Sequence, residues 1–169
     1  EKEDLLDEPE SRQVGIFVHE LLEEAFKQFL GRQPVIDQEF RRYFQKIFAE
    51  RFDAAFLKVM HADAFLLKTV LEVRLARFLD NEADNPQRRV KEILFIEKSF
   101  EDVIPLSSGN IRFVYKVDRV DRMDDGTVVI LDYKTGRVDL MPKGIAQLEE
   151  MELSRPAIYE AVKSFQIPL

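Results

Sequence analysis

The stretch VDRVDRMDDGTVVILDYKTG, residues 117–136, decides how the chain is read. Two segments rich in valine and isoleucine flank Asp124-Asp125-Gly126, a turn signal, so the stretch reads as a β-hairpin. Three-residue hairpin loops end on a left-handed residue, where glycine is cheapest, and Gly126 stands third. That loop pairs Met123 with Thr127, Val120 with Ile130 and Asp118 with Asp132. A two-residue loop of Asp125-Gly126 sets Asp118 opposite Tyr133 instead and gives up the Val120–Ile130 pair. Alternation then puts Lys134 on the Asp132 face and Tyr133 on the other. Directly opposed aspartates destabilise a hairpin. A divalent cation between them turns the repulsion into a binding site, and hard oxygen ligands suit magnesium or manganese completed by a substrate phosphate. Lys134 is placed to position a water or steady the charge on phosphorus, so the residues imply metal-assisted attack on a phosphodiester. The same residues also fit a solvated edge strand in which Arg119 and Arg122 neutralise Asp118 and Asp121. The hairpin alone leaves both readings open.

Outward from the hairpin, the periodicity changes twice. Residues 11–30 place Val14, Val18, Leu21, Leu22, Ala25 and Phe29 on a helical stripe that GRQP ends. Asp37 is the expected N-cap of a second helix reaching about Met60. That helix carries Phe40, Phe44, Phe48, Phe52 and Phe56; each step of four drifts roughly 40°, so the rings predict a broad buried face. A third helix is expected from about Ala62 to Leu79, before the polar break DNEADNPQ. RVKEILFIEKSFE, IRFVYKVDRVDRM and TVVILDYK then read as strands, with IPLSSGN as a turn, and KGIAQLEEMELSRPAIYEAVKSF as a closing helix. The fold class is α+β, with N-terminal helices, a short mixed sheet containing the hairpin, and a C-terminal helix: a single domain over residues 1–169, helical over 11–80, with the sheet and closing helix over 90–165.

Bulk composition limits the chemistry. The chain has 169 residues, 46% hydrophobic and 34% charged, enough for one globular core. The absence of cysteine excludes disulfides, thiolate zinc sites, cysteine nucleophiles and cysteine-ligated iron–sulfur clusters. No apolar run approaches membrane-spanning length, and the acidic start EKEDLLDEPE is not signal-like. Beginning at Glu1 and ending at FQIPL, the chain reads as a domain of a longer, cytoplasmic protein. A net charge of −7 argues against a general nucleic-acid coat but leaves room for a nucleic-acid enzyme with local basic residues such as Arg137, Lys143 and Arg155.

Four motifs appear in order: GIFVHELLEEAF, EILFIEKSFE, VDRVD with ILDYKTG, and SRPAIYEAV, together spanning roughly residues 11–162. In that order they resemble the RecB-type branch of the PD-(D/E)XK nuclease superfamily. D-Y-K-T-G is the most specific of them and the histidine motif the next. The resemblance implies that His19, Asp118 and Asp132 ligate a metal together with the backbone carbonyl of Tyr133, that Lys134 is the catalytic lysine, and that Glu97 is a supporting acid. Glu23, one helical turn beyond His19, is the expected orienting partner of its ring. His61, at a helix junction, is read as structural.

The pattern also departs from the family. Tyr115 stands where it usually has glycine, and Val117 where the superfamily has its nominal proline. Arg155 replaces the glutamine four residues before Tyr159, with Gln147 as a displaced equivalent on the same expected DNA-facing helix. The family implies Mg2+ or Mn2+ as cofactor, DNA as substrate, and a helicase domain or subunit as partner, without a membrane and without the iron–sulfur cluster of some relatives. The competing expectation is a non-catalytic nucleic-acid-binding or interaction module that keeps the fold, and a third is action on RNA or branched ends.

Overall fold

A computed structural model of the chain describes residues 11–57, 63–84, 89–106 and 109–135. Its first helix, α1 (Ser11–Phe26), buries Val18, Leu21, Leu22 and Ala25 of the expected stripe and adds Phe17 and Phe26, while Val14 is only partly buried. A 3-10 turn over Lys27–Phe29 tightens its end. Gly31 then takes the left-handed conformation, with φ 71°. Its N–H donates to the Ile93 carbonyl at 2.8 Å, and the Ile93 N–H to that of Arg32 at 3.2 Å. These two bonds fasten the end of α1 to the sheet.

Helix α2 (Gln38–Phe52) is capped as expected: Asp37 Oδ1 accepts from the Phe40 N–H at 2.8 Å. A wide, π-type turn over Asp53–Leu57 follows. By underwinding the chain it keeps Phe56 on the side that an α-helix rotates away from. All five phenylalanines are buried, and Phe17 meets Phe48, Phe52 and Phe56 edge-on at centroid distances of 5.9, 5.9 and 5.3 Å. The broad apolar face is therefore core. Helix α3 (Asp63–Asp84) runs past the expected stop at Leu79 and buries Ala64, Leu71, Leu75 and Leu79. His61 lies outside the described residues.

Strands β1 (Val90–Leu106), β2 (Gly109–Met123) and β3 (Val128–Leu131) form an antiparallel sheet in the order β1-β2-β3. The hairpin turn is the three-residue one. The Met123 N–H donates to the Thr127 carbonyl at 2.8 Å, Gly126 has φ 86°, and Val120 pairs with Ile130. β1 and β2 extend into the expected IPLSSGN turn as far as Leu106 and from Gly109, with Pro105 opposite Asn110 and Leu106 opposite Gly109, and residues 107–108 lie outside the described residues. Proline is tolerated there because β1 is an edge strand. β3 spans only the last part of β2, so, among the described residues, 99–106 and 109–116 pair only with each other, as a two-stranded ribbon on which Ile104, Ile111, Phe113 and Tyr115 are exposed.

The edge-strand alternative for DRVDR is overturned, because β2 is the central strand. Arg119 and Asp121 are fully buried and paired with each other: Nε donates to Asp121 Oδ1 at 2.7 Å and Nη2 to Oδ2 at 2.8 Å. Nη1 donates to Glu82 Oε2 on α3 at 2.7 Å, and the guanidinium lies 4.7 Å from the centre of the Phe26 ring. Arg122 pairs with Glu92 at 2.7 Å. Neither arginine neutralises Asp118. The architecture is α+β, as the sequence implied, with both described strand pairs antiparallel where a mixed sheet was expected, because short hairpin connections join consecutive strands. Every described residue falls within one compact unit, Glu1–Thr135. The expected closing helix, with Arg137, Gln147, Arg155 and Tyr159, lies outside the described residues.

Candidate metal centre

Three elements converge at one point. His19 comes from α1, Glu97 from β1 and Asp118 from β2, and one ligand atom from each lies within 4.8 Å of the others. His19 is carried by the helix whose Val18 and Leu22 enter the core, so its position follows from the docking of α1. Nδ1 stands 3.0 Å from Glu97 Oε1 and 3.5 Å from Asp118 Oδ1, and Nε2 stands 3.0 Å from the Tyr133 carbonyl oxygen. The ring is thus held between two carboxylates and a carbonyl. Glu23, the expected orienting partner, is engaged elsewhere, accepting from Lys27 at 3.0 Å. Glu97 orients the ring instead.

Glu97 has φ 47°, among the described residues the one non-glycine residue on the left-handed side. Such backbone costs about 1–3 kcal/mol and persists where surrounding contacts over-determine it. Here those contacts are His19 on Oε1 and Lys116, whose Nζ lies 2.5 Å from Oε2. The Glu97 side chain is 7% exposed and that of Asp118 13%, so two carboxylates sit largely out of water beside one imidazole. Burial pushes the Asp118 carboxyl above the usual range; the Tyr133 N–H and His19 oppose this, while Glu97 and Asp132 add to it. Its hydrogen bond to Glu97 holds the Lys116 ammonium above the ordinary lysine value.

The strand end beyond Leu131 does not continue the ladder. Pairing stops at Arg119 with Leu131, one step short of Asp118 with Asp132. The Tyr133 N–H donates instead to Asp118 Oδ2 at 2.6 Å, and Lys134 Nζ to Asp132 Oδ1 at 2.6 Å. Asp132 is therefore placed beside Lys134 and outside the His19–Glu97–Asp118 group. Tyr133 fixes the segment. Its ring meets His19 at 5.9 Å and Phe78 at 5.8 Å, and burial pushes its hydroxyl up to about 12 against the pull of Arg119. A cleft of about 310 Å3 opens here, lined by Val14, Leu71, Phe78 and Arg74 together with Asp132 and Lys134.

An imidazole nitrogen, two carboxylates and an adjacent carbonyl are a donor set that fits a hard divalent cation. Of the sequence-derived residues, the structure gathers His19, Glu97, Asp118 and Tyr133, with Asp132 and Lys134 paired next to them. Lys116 was not singled out by sequence. Its only signal is register, since it stands two residues before Asp118 on the same face of β2.

Residues 2–151 match the family model of the PD-(D/E)XK nuclease superfamily, whereas no curated protein and no solved structure matches. That match spans most of the chain and takes in all three converging elements, the hairpin and the DYK segment: the chain belongs to the PD-(D/E)XK nuclease superfamily.

Proposed function

We propose that this domain is a metal-dependent DNA nuclease of the RecB/AddAB-like kind, the nuclease module of a helicase–nuclease or of a recombination and repair exonuclease. The observation that carries the reading is the convergence of His19, Glu97 and Asp118 beside the Lys134–Asp132 pair. His19, Glu97 and Asp118 would hold Mg2+ or Mn2+, with Asp132 and the Tyr133 carbonyl completing the oxygen set. When bound, the cation supplies Lewis acidity and a water of lowered pKa. Lys134 holds the attacking water or a non-bridging phosphate oxygen through its ammonium. Attack in line on phosphorus then breaks the bond to the 3′ oxygen, which takes up a proton and leaves a 3′-hydroxyl and a 5′-phosphate. The cleft beside Asp132 and Lys134 has room for a nucleotide of the scissile strand. Gln147, Arg155 and Tyr159 are assigned to the DNA path on the strength of the sequence motif, and Arg137 as a local basic residue.

The test is incubation with labelled single- and double-stranded DNA and RNA in magnesium, manganese or EDTA. Cleavage of DNA that EDTA abolishes is expected. Binding without cleavage in every metal would replace the reading with that of a scaffold module, and cleavage confined to RNA would replace its substrate.

A further inference from the structure

Glu97 is held from two sides, and the two partners differ in a way that matters. His19 is part of the candidate metal centre, whereas Lys116 belongs to no motif and reaches Glu97 Oε2 from the solvent side, at 2.5 Å. The exposures are unequal: the Lys116 side chain is 57% exposed and that of Glu97 7%. Glu97 cannot lose a cation without leaving a buried charge uncompensated, while Lys116 can leave Glu97 and remain in water. The backbone agrees, since Glu97 is pinned at φ 47° and Lys116 lies on regular β2, opposite Ser99. Lys116 and Asp118 share one face of β2, so an Nζ released from Glu97 stays at the mouth of the same site.

We propose that Lys116 is an exchangeable counterion of the metal centre: its ammonium neutralises Glu97 while the site is empty and turns to a substrate phosphate once a divalent cation has taken Glu97. It is a positioning residue, acting on the metal through Glu97 and on the substrate by charge. This rests on the nuclease reading and adds to it a cation that keeps the empty site folded, disfavours loading without substrate, and couples metal to phosphate. Lys116 and a divalent ion repel each other at the range of one carboxylate, so each weakens the other's hold on Glu97. A phosphate arriving at the mouth draws Lys116 away and relieves that repulsion.

Mn2+ is titrated calorimetrically into the full chain as wild type, Lys116→Gln and Lys116→Arg, with thermal melts in EDTA alongside. Lys116→Gln is expected to bind Mn2+ about five- to tenfold more tightly than wild type and to melt lower in EDTA. Lys116→Arg, a stronger partner for a carboxylate, should bind Mn2+ no more tightly than wild type. In a Lys134→Ala background with saturating Mn2+, adding Lys116→Gln should weaken binding of a labelled oligonucleotide several-fold, an effect that a merely structural ion pair does not produce. Mn2+ affinity unchanged or weakened in Lys116→Gln, with wild type responding normally, overturns this inference and leaves the nuclease reading standing. Mn2+ binding tighter in Lys116→Arg than in wild type also overturns it, and that variant answers the question should Lys116→Gln fail to fold. A wild type that takes up no Mn2+ overturns the inference and the metal centre together.

Discussion

At the scale of single residues the site is a contest between buried like charges and the few groups that relieve them. Asp118 shows the balance. Burial raises its carboxyl, Glu97 and Asp132 raise it further, and the Tyr133 N–H at 2.6 Å does not fully compensate. A carboxyl raised in the folded state binds its proton more tightly there than in the unfolded chain, so the ionised form costs stability at neutral pH and the cost fades as pH falls through the folded value. Asp118→Asn should therefore be at least as stable as wild type in EDTA at pH 7, and should lose the metal-induced rise in melting temperature, about 2–5 °C at ten times Kd for a chain of this size. A clear loss of stability in EDTA would make Asp118 a structural partner. Lys134 is a third exposed and touches only Asp132 among the contacts described, so Lys134→Ala should fold normally and lose on the order of 10²–10³ in cleavage rate, read from single-turnover kinetics. The gathering of His19, Glu97 and Asp118 was legible through the order and spacing of the motifs and not through residue type, since acidic residues number 32 and only histidine, with two, is scarce. What was not legible depends on register across strands. The loop length fixed the turn, but nothing local shows that the ladder stops at Leu131 and turns Asp132 toward Lys134. Nor does spacing distinguish Lys116 from any exposed strand lysine, until β1 brings Glu97 within its reach.

At the scale of elements, the helices were easier to read than the sheet. The phenylalanine stripe and the Asp37 cap are local signals, and both hold because burial and capping act within a few residues. The place of β2 in the sheet is a non-local fact, and a charged run such as DRVDR looks solvated until α3 supplies Glu82 and α1 supplies Phe26 around Arg119. That cluster has a mechanical consequence. Arg119 joins α1, α3 and β2, and it draws on the buried Tyr133 hydroxyl, whose own backbone holds Asp118 and His19. The ion network is thus the support of the Asp132–Lys134 segment. Asp121→Asn leaves the buried guanidinium short of charge and should destabilise by about 3–5 kcal/mol in urea titration. Phe52→Ala, which empties the aromatic core, should cost a similar 3–5 kcal/mol. The two differ in their effect on activity: at temperatures where both variants remain folded, Asp121→Asn should cleave more slowly and Phe52→Ala should not. Equal activity of the two folded variants would separate the Arg119 network from the site.

At the scale of the whole molecule, an acidic chain has to hold a polyanion. With a net charge of −7, long-range electrostatics oppose encounter, and affinity has to come from a few cations at short range. Among the described residues around the candidate centre these are Lys116, Lys134 and Arg74, each with a partner in the substrate-free state. Neutralising about two or three phosphates gives a salt slope, log K against log [salt], of about −2 to −3 on duplex DNA. A divalent ion among Glu97, Asp118 and Asp132 should shift the intercept of that line, because the phosphate then meets a neutralised site in place of a carboxylate cluster. Fluorescence anisotropy with slow-cleaving Lys134→Ala, in which Lys116 and Arg74 remain and the slope should lie at about −2, run across salt in Mn2+ and in EDTA, measures both. Two nearly parallel lines are expected, with the Mn2+ line at least about tenfold tighter. A slope of about −6 or steeper would put most phosphate contacts on cations away from this site, and lines that coincide would mean that DNA does not touch the metal centre at all.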